Sequence, residues 1–266
     1  MKKQIEIIYE NDDIIVINKP TGLSVTKDRS GAVGLLTVLG NQLNISQDEP
    51  LRLIHRLDKS TSGVMMLAKN RDAQSKFSSM FEKRLVKKTY LALVRAAVTR
   101  QAGTIRSPLA PSKKNPRLMC VTRKKSKKAI TEWHLLADFG SIALLAVQPQ
   151  TGRTHQIRVH MATAGMPLAF DDLYAGTHPV NLSDFKPGYR LSRGQNERPL
   201  IERLTLHAYQ LNLLEKEESY PNKFIAGLDK NFAAAIKMLT KHNPNGLEAF
   251  VDPEEYNSII TTKLLK

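Results

Sequence analysis

A single cysteine, Cys120, in 266 residues rules out a disulfide framework and a cysteine-based zinc site. It fits a reducing, cytoplasmic setting. No run of about 18 apolar residues occurs, so no membrane-crossing helix is expected. The start, "MKKQIEIIYENDD", lacks the apolar stretch of a secretory signal, and acids arrive within its first ten or so positions. There is no internal repeat and no low-complexity tract. Neither a G-x-G-x-x-G pattern nor a P-loop is present, so nucleotide-cofactor folds have no support. Acid is also scarce relative to base: 25 Asp and Glu against 40 Lys and Arg, a formal net charge of +15. That imbalance points to a polyanionic partner, nucleic acid first.

What is present reads as one substantial globular chain. "IEIIY" and "IIVIN" read as strands around "ENDD", and Lys19-Pro20-Thr21-Gly22 follows with turn chemistry. "LRLI" (51–54) and "VMMLA" (64–68) read as buried strands. In "NRDAQSKFSSMFEKR", Ala73, Phe77, Met80 and Phe81 have helical spacing, with Asn70 as cap. "KKTYLALVRAAV", "AITEWHLLADF" and "IALLAVQP" read as strands. Residues 112–128 hold eight basic residues and no acidic one, and read as a mobile hairpin or loop. After Pro149 a helix is expected, with Thr154 as N-cap, Ile157, Met161 and Ala164 on one face, and Gly165 past its end. "RLTLHAYQLNLL" reads as a strand or as a short helix into a strand. Phe232, Ala235, Ile236 and Leu239 predict an amphipathic helix, and "EAFVDPEEYNSIITTKLLK" suggests another. Strands cluster rather than alternate with helices. The expectation is therefore an α+β fold with a mixed, largely antiparallel central sheet flanked by helices. Residues 1–220 would form the main domain, and 221–266 a helical appendage packed on it.

Three stretches carry possible chemistry. In "HRLDKSTSG" (55–63) a lone carboxylate, Asp58, sits between Arg56 and Lys59, in a loop flanked by apolar runs. An Asp in a loop commonly braces that loop. Here Arg56 is two residues away, and the following hydroxyls and backbone N–H groups are suited to keep the carboxylate ionised, as a nucleophile or general base. In "GRTHQIRVH" (152–160) Arg153 precedes the expected helix and can reach a neighbouring loop, with Asp58 the candidate partner. Arg158 and His160 read equally well as a solvated or phosphate-facing helix surface. A metal site built from His55, His155 and His160 is the rival idea. The spacing is not H-x-x-x-H and no second carboxylate is near, so no metal is expected. In "KKTYLALV" Tyr90 is either a core tyrosine or a functional one that stacks on a base or serves as a catalytic acid or base.

These stretches, together with "NKPTGL", "QTGRTHQIRVHMATAGMPLAFDDLY" and "RLTLHAYQLNL", resemble the RluA family of pseudouridine synthases, in the family's order and over roughly residues 5–215. The resemblance implies an enzyme that isomerises chosen uridines in structured RNA, ribosomal or transfer, with no cofactor and no metal, acting as a cytoplasmic monomer. It implies Asp58 as the catalytic aspartate, attacking the ribose C1′ or the uracil ring or abstracting a ribose proton. It further implies Arg153 pairing with that carboxylate, Tyr90 against the uracil, Arg56 filling the space left by the flipped nucleotide, and Ile157 lining the pocket. His155 and Arg158 are further substrate-binding candidates within the same motif. Flipping the uridine out of its stack costs a few kcal/mol, and a dry, close-fitting pocket is required. The basic stretches at 113–128 and 182–203 are suited to neutralise phosphate. Lys59, Lys124, Lys125, Lys127, Lys128 and Arg193 are the candidate contacts. A non-catalytic RNA-binding protein on the same fold is the alternative, and a metal-dependent nuclease a third reading.

Two departures stand out. Where the family often reads P-I-x-G-D-x-L-Y-G, this chain has "PLAFDDLYAG", with Phe170 and Ala175 at glycine positions. The motifs begin almost at the first residue of this sequence, so an N-terminal S4 RNA-binding domain is not expected.

Overall fold

The computed structural model describes residues 4–26, 33–45, 50–176, 178–186, 188–190, 194–215 and 217–242. The chain divides into two compact units, Met1–Thr89 with His207–Gly227, and Tyr90–Leu206 with Leu228–Lys266.

In the first unit β1 (Glu6–Glu10) and β2 (Ile14–Lys19) form the expected hairpin, and β2 lies antiparallel to β4 (Ser62–Ala68). All seven residues of β4 are buried, as are the apolar residues of β2. That is why both read as unbroken apolar runs rather than alternating ones. The expected "LRLI" strand is only β3 (Arg52–Leu53), paired to β4. Helix α1 (Leu35–Gln42), which carries no capping side-chain bond, was not anticipated. Helix α2 (Arg71–Glu82) starts where expected: the Asn70 side chain accepts from Ala73 N–H, and Ala73, Phe77 and Met80 are its buried face. The strand β5 (Val86–Val94) follows. The ambiguous "RLTLHAYQLNLL" resolves to the strand β11 (Leu206–Leu213), which runs parallel to β4, and β12 (Lys223–Ile225) pairs antiparallel to β11.

In the second unit the end of β5 pairs with β10 (Ala143–Pro149), β10 with β9 (Thr131–Asp138), and β9 with β6 (Ala102–Ile105), all antiparallel. The basic stretch 112–128 starts just after β7 (Leu109–Pro111), contains β8 (Met119–Val121), which pairs with β7 in a separate two-stranded hairpin, and continues beyond it to Lys128. Helix α3 (Gln156–Thr163) begins one residue later than expected. His155, in left-handed backbone at φ 52°, takes the N-cap place assigned to Thr154. Gly165, at φ 76°, ends the helix as a left-handed glycine should. Helix α4 (Lys230–His242) buries Phe232, Ala235, Ile236 and Leu239, the face read from the sequence. The second tail helix and Arg193 lie outside the described residues.

The fold is thus α+β, with a mixed, largely antiparallel sheet.

Candidate active site

In the first unit the loop 55–63 is held from several directions. The turn after β2 docks on its backbone: Gly22 N–H donates to the Lys59 carbonyl at 2.9 Å, and Thr21 Oγ1 to the Ser60 carbonyl at 2.7 Å. Lys19 is fully buried, and its ammonium donates to the carbonyls of Pro20 (2.9 Å), Leu23 (2.8 Å) and Lys59 (3.1 Å). Three donors meeting three carbonyls is the arrangement that makes a buried ammonium tolerable. Burial pulls the Lys19 amine down to about 8, and the nearby Asp58 carboxylate acts in the opposite direction. Lys19 is therefore still charged at pH 7 and places a positive charge close to Asp58.

The loop's far end is fixed by close approach. Gly63 has φ 116°, and a Cβ there would lie 2.1 Å from the Ala208 carbonyl oxygen on β11. Only glycine lets β4 and β11 come this near. Next to it, the buried Ser62 hydroxyl donates to His207 Nδ1 (2.9 Å), because His207 Nε2 must donate to the Ala226 carbonyl (3.1 Å). His55 braces the near end. Its Nε2 accepts from Met66 N–H at 3.0 Å, and its ring stacks on Phe81 at 4.4 Å between centroids. Burial, helped by the Lys88 charge, pushes this imidazole down to about 3, so it is neutral and a pure acceptor at Nε2. Within the loop Asp58 is half-buried, with Thr61 N–H donating to its carbonyl, while Arg56 and Lys59 are exposed.

In the second unit Tyr90 and Ile157 come together. Tyr90 on β5 is half-buried and packs on the cluster that includes Ile157, Met161, Val147 and Leu204. Arg153 is exposed, and its Nε donates to the Lys128 carbonyl at 3.2 Å. Its backbone N–H donates to Gln156 Oε1 at 3.1 Å. Gln156 Oε1 also accepts from Thr151 Oγ1, and Gln156 Nε2 donates to the Ile130 carbonyl and to Thr131 Oγ1. Thr131 then donates to His160 Nδ1, because His160 Nε2 donates to the Ser107 carbonyl.

This overturns the solvated or phosphate-facing reading of α3. Every residue from Gln156 to Met161 is buried. Polar groups inside such a helix persist only when fully bonded. His160 is held as above, and burial lowers its imidazole pKa. Arg158 is 3% exposed and grips Asp171 with two bonds, Nε to Oδ2 at 2.9 Å and Nη2 to Oδ1 at 2.5 Å, with Nη2 also reaching Asp172 at 2.9 Å. His155 Nδ1 lies 2.8 Å from the Tyr174 hydroxyl. Phe170, at a position where glycine was expected, needs no left-handed backbone: Gly176 takes the positive φ of this turn, at 89°. Lys124, Lys125, Lys127 and Lys128 are all exposed.

Lys19, Thr21 and Gln156 were not singled out as site residues. The usable signals were a lysine ending an apolar strand just before Pro-Thr-Gly, and a polar residue opening a helix whose residues 156–161 are all buried. Among the described residues no group of three His, Cys, Asp or Glu is placed to hold a metal, and no helix is long and apolar enough to cross a membrane.

Comparison with known proteins bears directly on these motifs. The RNA pseudouridylate synthase family profile matches residues 13–163. The chain is 34% identical over 244 residues to the ribosomal large subunit pseudouridine synthase D of Borreliella burgdorferi, covering 89% of this chain and 69% of that protein. It is 34% identical over 223 residues to a protein of Haemophilus influenzae described as an uncharacterized RNA pseudouridine synthase, covering 84% and 86%. Among solved structures, human RNA pseudouridylate synthase domain containing 4 superposes with a TM-score of 0.66 at 27% identity, over 88% of this chain and 92% of that one. With the motif loops seated as described, the chain belongs to the RluA-type RNA pseudouridine synthases and is an isomerase that acts on RNA.

Proposed function

We propose that this protein isomerises specific uridines of structured RNA, ribosomal or transfer, with Asp58 as its catalytic carboxylate. In the reaction the N1–C1′ glycosidic bond breaks, the uracil turns while bound, and a C5–C1′ bond forms. The proton lost from C5 is balanced by one gained at N1, so neither water nor a redox partner enters. The observation that carries the Asp58 assignment is the fastening of its loop by Lys19, Thr21 and Gly22. A carboxylate approaching RNA phosphates is electrostatically unfavourable, and a buried ammonium beside it offsets that cost.

Arg153 would orient the carboxylate and Tyr90 would lie against the uracil, with Ile157 in the same apolar cluster walling the pocket. Arg56, exposed on the loop, suits a wedge that fills the gap left by the flipped nucleotide. Lys59 and the exposed lysines of the hairpin suit phosphate. The protein would work in the cytoplasm as a monomer, with no cofactor or metal.

The decisive experiment compares wild type with Asp58→Ala on RNA from cells lacking the gene, with pseudouridine mapped by sequencing. The expected result is loss of one or a few defined pseudouridines with Asp58→Ala. Pseudouridine formed at the wild-type rate by the variant would remove Asp58 from the mechanism.

A further inference from the structure

The β7–β8 hairpin, taken with the segment that follows β8 to Lys128, holds eight Lys and Arg and no acid within residues 112–128, yet it packs on the rest of its unit through few buried apolar residues. Leu109, Ala129 and Val159 are buried there, with Met119 and Tyr174 partly so. Directed bonds hold it instead, and they lead to one turn. The Tyr174 hydroxyl accepts from Met119 N–H on β8 at 2.8 Å. The same hydroxyl shares a second hydrogen bond with His155 Nδ1, also at 2.8 Å. His155 is the left-handed N-cap of α3, two residues after Arg153. At the hairpin's other leg the Lys128 carbonyl receives Arg153 Nε.

Tyr174 is itself fixed. Asp171 Oδ1 accepts from the N–H groups of Leu173 and Tyr174, and Asp171 is gripped by Arg158 of α3, whose guanidinium lies 5.3 Å from the Tyr174 ring. The hydroxyl therefore bridges two backbone segments that the sequence keeps far apart: the strand bearing the basic loop, and the turn bearing Arg153 and His155. A phenylalanine would fill the same apolar space without making either bond.

We propose that Tyr174 is a positioning residue whose hydroxyl couples the basic hairpin to the Arg153–His155 turn, so that phosphate seated on the hairpin sets the turn. The proposal rests on the reading of the hairpin as an RNA contact and of Arg153 as part of the reacting site.

The test uses the full chain, RNA from cells lacking the gene, Tyr174→Phe, the paired Lys124→Ala and Lys125→Ala change, and their combination. In the wild-type background the lysine pair is expected to raise KM and to lower kcat at saturating RNA. Tyr174→Phe alone lowers kcat by about fivefold or more, the scale of an ordinary coupling between sites. In the Tyr174→Phe background the lysine pair then changes KM only. Equal kcat losses from the lysine pair in both backgrounds would make the hydroxyl merely structural and overturn the proposal. Should Tyr174→Phe fail to fold, His155→Asn and His155→Ala replace it. Asn tolerates the left-handed backbone and its amide offers the hydroxyl both an acceptor and a donor, so Asn retains the coupling and Ala loses it; the same behaviour in both overturns it.

Amide exchange separates this proposal from the functional reading. RNA added to wild type should slow exchange at residues 153–156, and should do so far less in Tyr174→Phe, whether or not pseudouridine forms. Equal protection in both proteins, or none in either, refutes the coupling. Protection without any pseudouridine refutes only the functional reading.

Discussion

In the first unit one lysine ammonium gathers three main-chain carbonyls, one of them Lys59's, in the loop that carries Asp58. In the second a glutamine amide gathers Arg153 N–H, two threonine hydroxyls and the Ile130 carbonyl under the turn before α3. Both fasten a functional loop to a buried strand or helix end. They differ in charge. The lysine brings a full charge to a carboxylate that, in the proposed mechanism, faces a polyanion, whereas the glutamine network is neutral and lies below an already cationic surface. The charge distribution agrees: 17 Lys and Arg against 13 Asp and Glu in the first unit, 23 against 12 in the second. On the proposed reading, recruitment of RNA and treatment of the base place opposite demands on the two units.

The largest expected effects come from breaking each unit's closest packing. Gly63→Ala forces a Cβ into the Ala208 backbone at a left-handed position and should cost about 4 kcal/mol or more, at the diagnostic end for single changes. Asp171→Ala removes both bonds to the buried partner of Arg158, leaves the exposed Asp172 carboxylate as its counter-charge, and should cost about 3 kcal/mol, the low end for a broken buried pair. Urea unfolding measures both. A loss under about 1 kcal/mol for Asp171→Ala would mean that the Arg158 pair does not carry α3.

Lys19→Met comes next. It leaves three carbonyls short of a donor, at about 1–3 kcal/mol for an unsatisfied buried group, and removes the charge beside Asp58. Gln156→Leu, its counterpart, should reduce stability by a similar amount. The two part in their pH profiles. The Lys19 proton is lost near 8 in the folded chain but near 10.5 in the unfolded one. Between those values the unfolded state binds more protons, so this group's contribution to stability rises with pH. Turnover should nevertheless fall as pH passes about 8, because the charge beside Asp58 disappears. Rate profiles from about pH 6 to 10 for the two variants test this. An alkaline limb that persists unchanged in Lys19→Met would assign it to another group.

On the acid side His55 behaves in the reverse direction. The unfolded chain takes up its proton near 6.5, the folded one only near 3. Stability is thus lost as pH falls below 6.5, and His55→Gln should flatten that slope in thermal melts between about pH 4 and 7. The smallest effect on the fold belongs to the hairpin. Changing Lys124 and Lys125 to Ala should leave the melting temperature within about 2 °C. The same change should lower the slope of log affinity against log salt by about 1 for each phosphate that is no longer neutralised. An unchanged slope would remove those lysines from the RNA surface.

Strands with two buried faces, such as β4 and β10, and the capped helix α2 were legible because their signals are local: apolar runs, helical spacing and an Asn at the start. The loop 55–63 was legible as a motif. Helix α1 was not, since it has neither a capping bond nor acids in its first turn. The burial of Arg158 and His160 was also hidden, because their partners Asp171, Thr131 and Ser107 lie 13 to 53 residues away.

Sequence by itself determined the α+β pattern, the basic balance and the family motifs in order, because composition, spacing and turn chemistry act over a few residues. Only the tertiary structure decided that Lys19 is buried against three carbonyls, that Arg158 and His160 of α3 are buried, and that Tyr174 joins the hairpin to the Arg153 turn. Each of these depends on what segments distant in the chain bring within about 3 Å, the reach of a hydrogen bond.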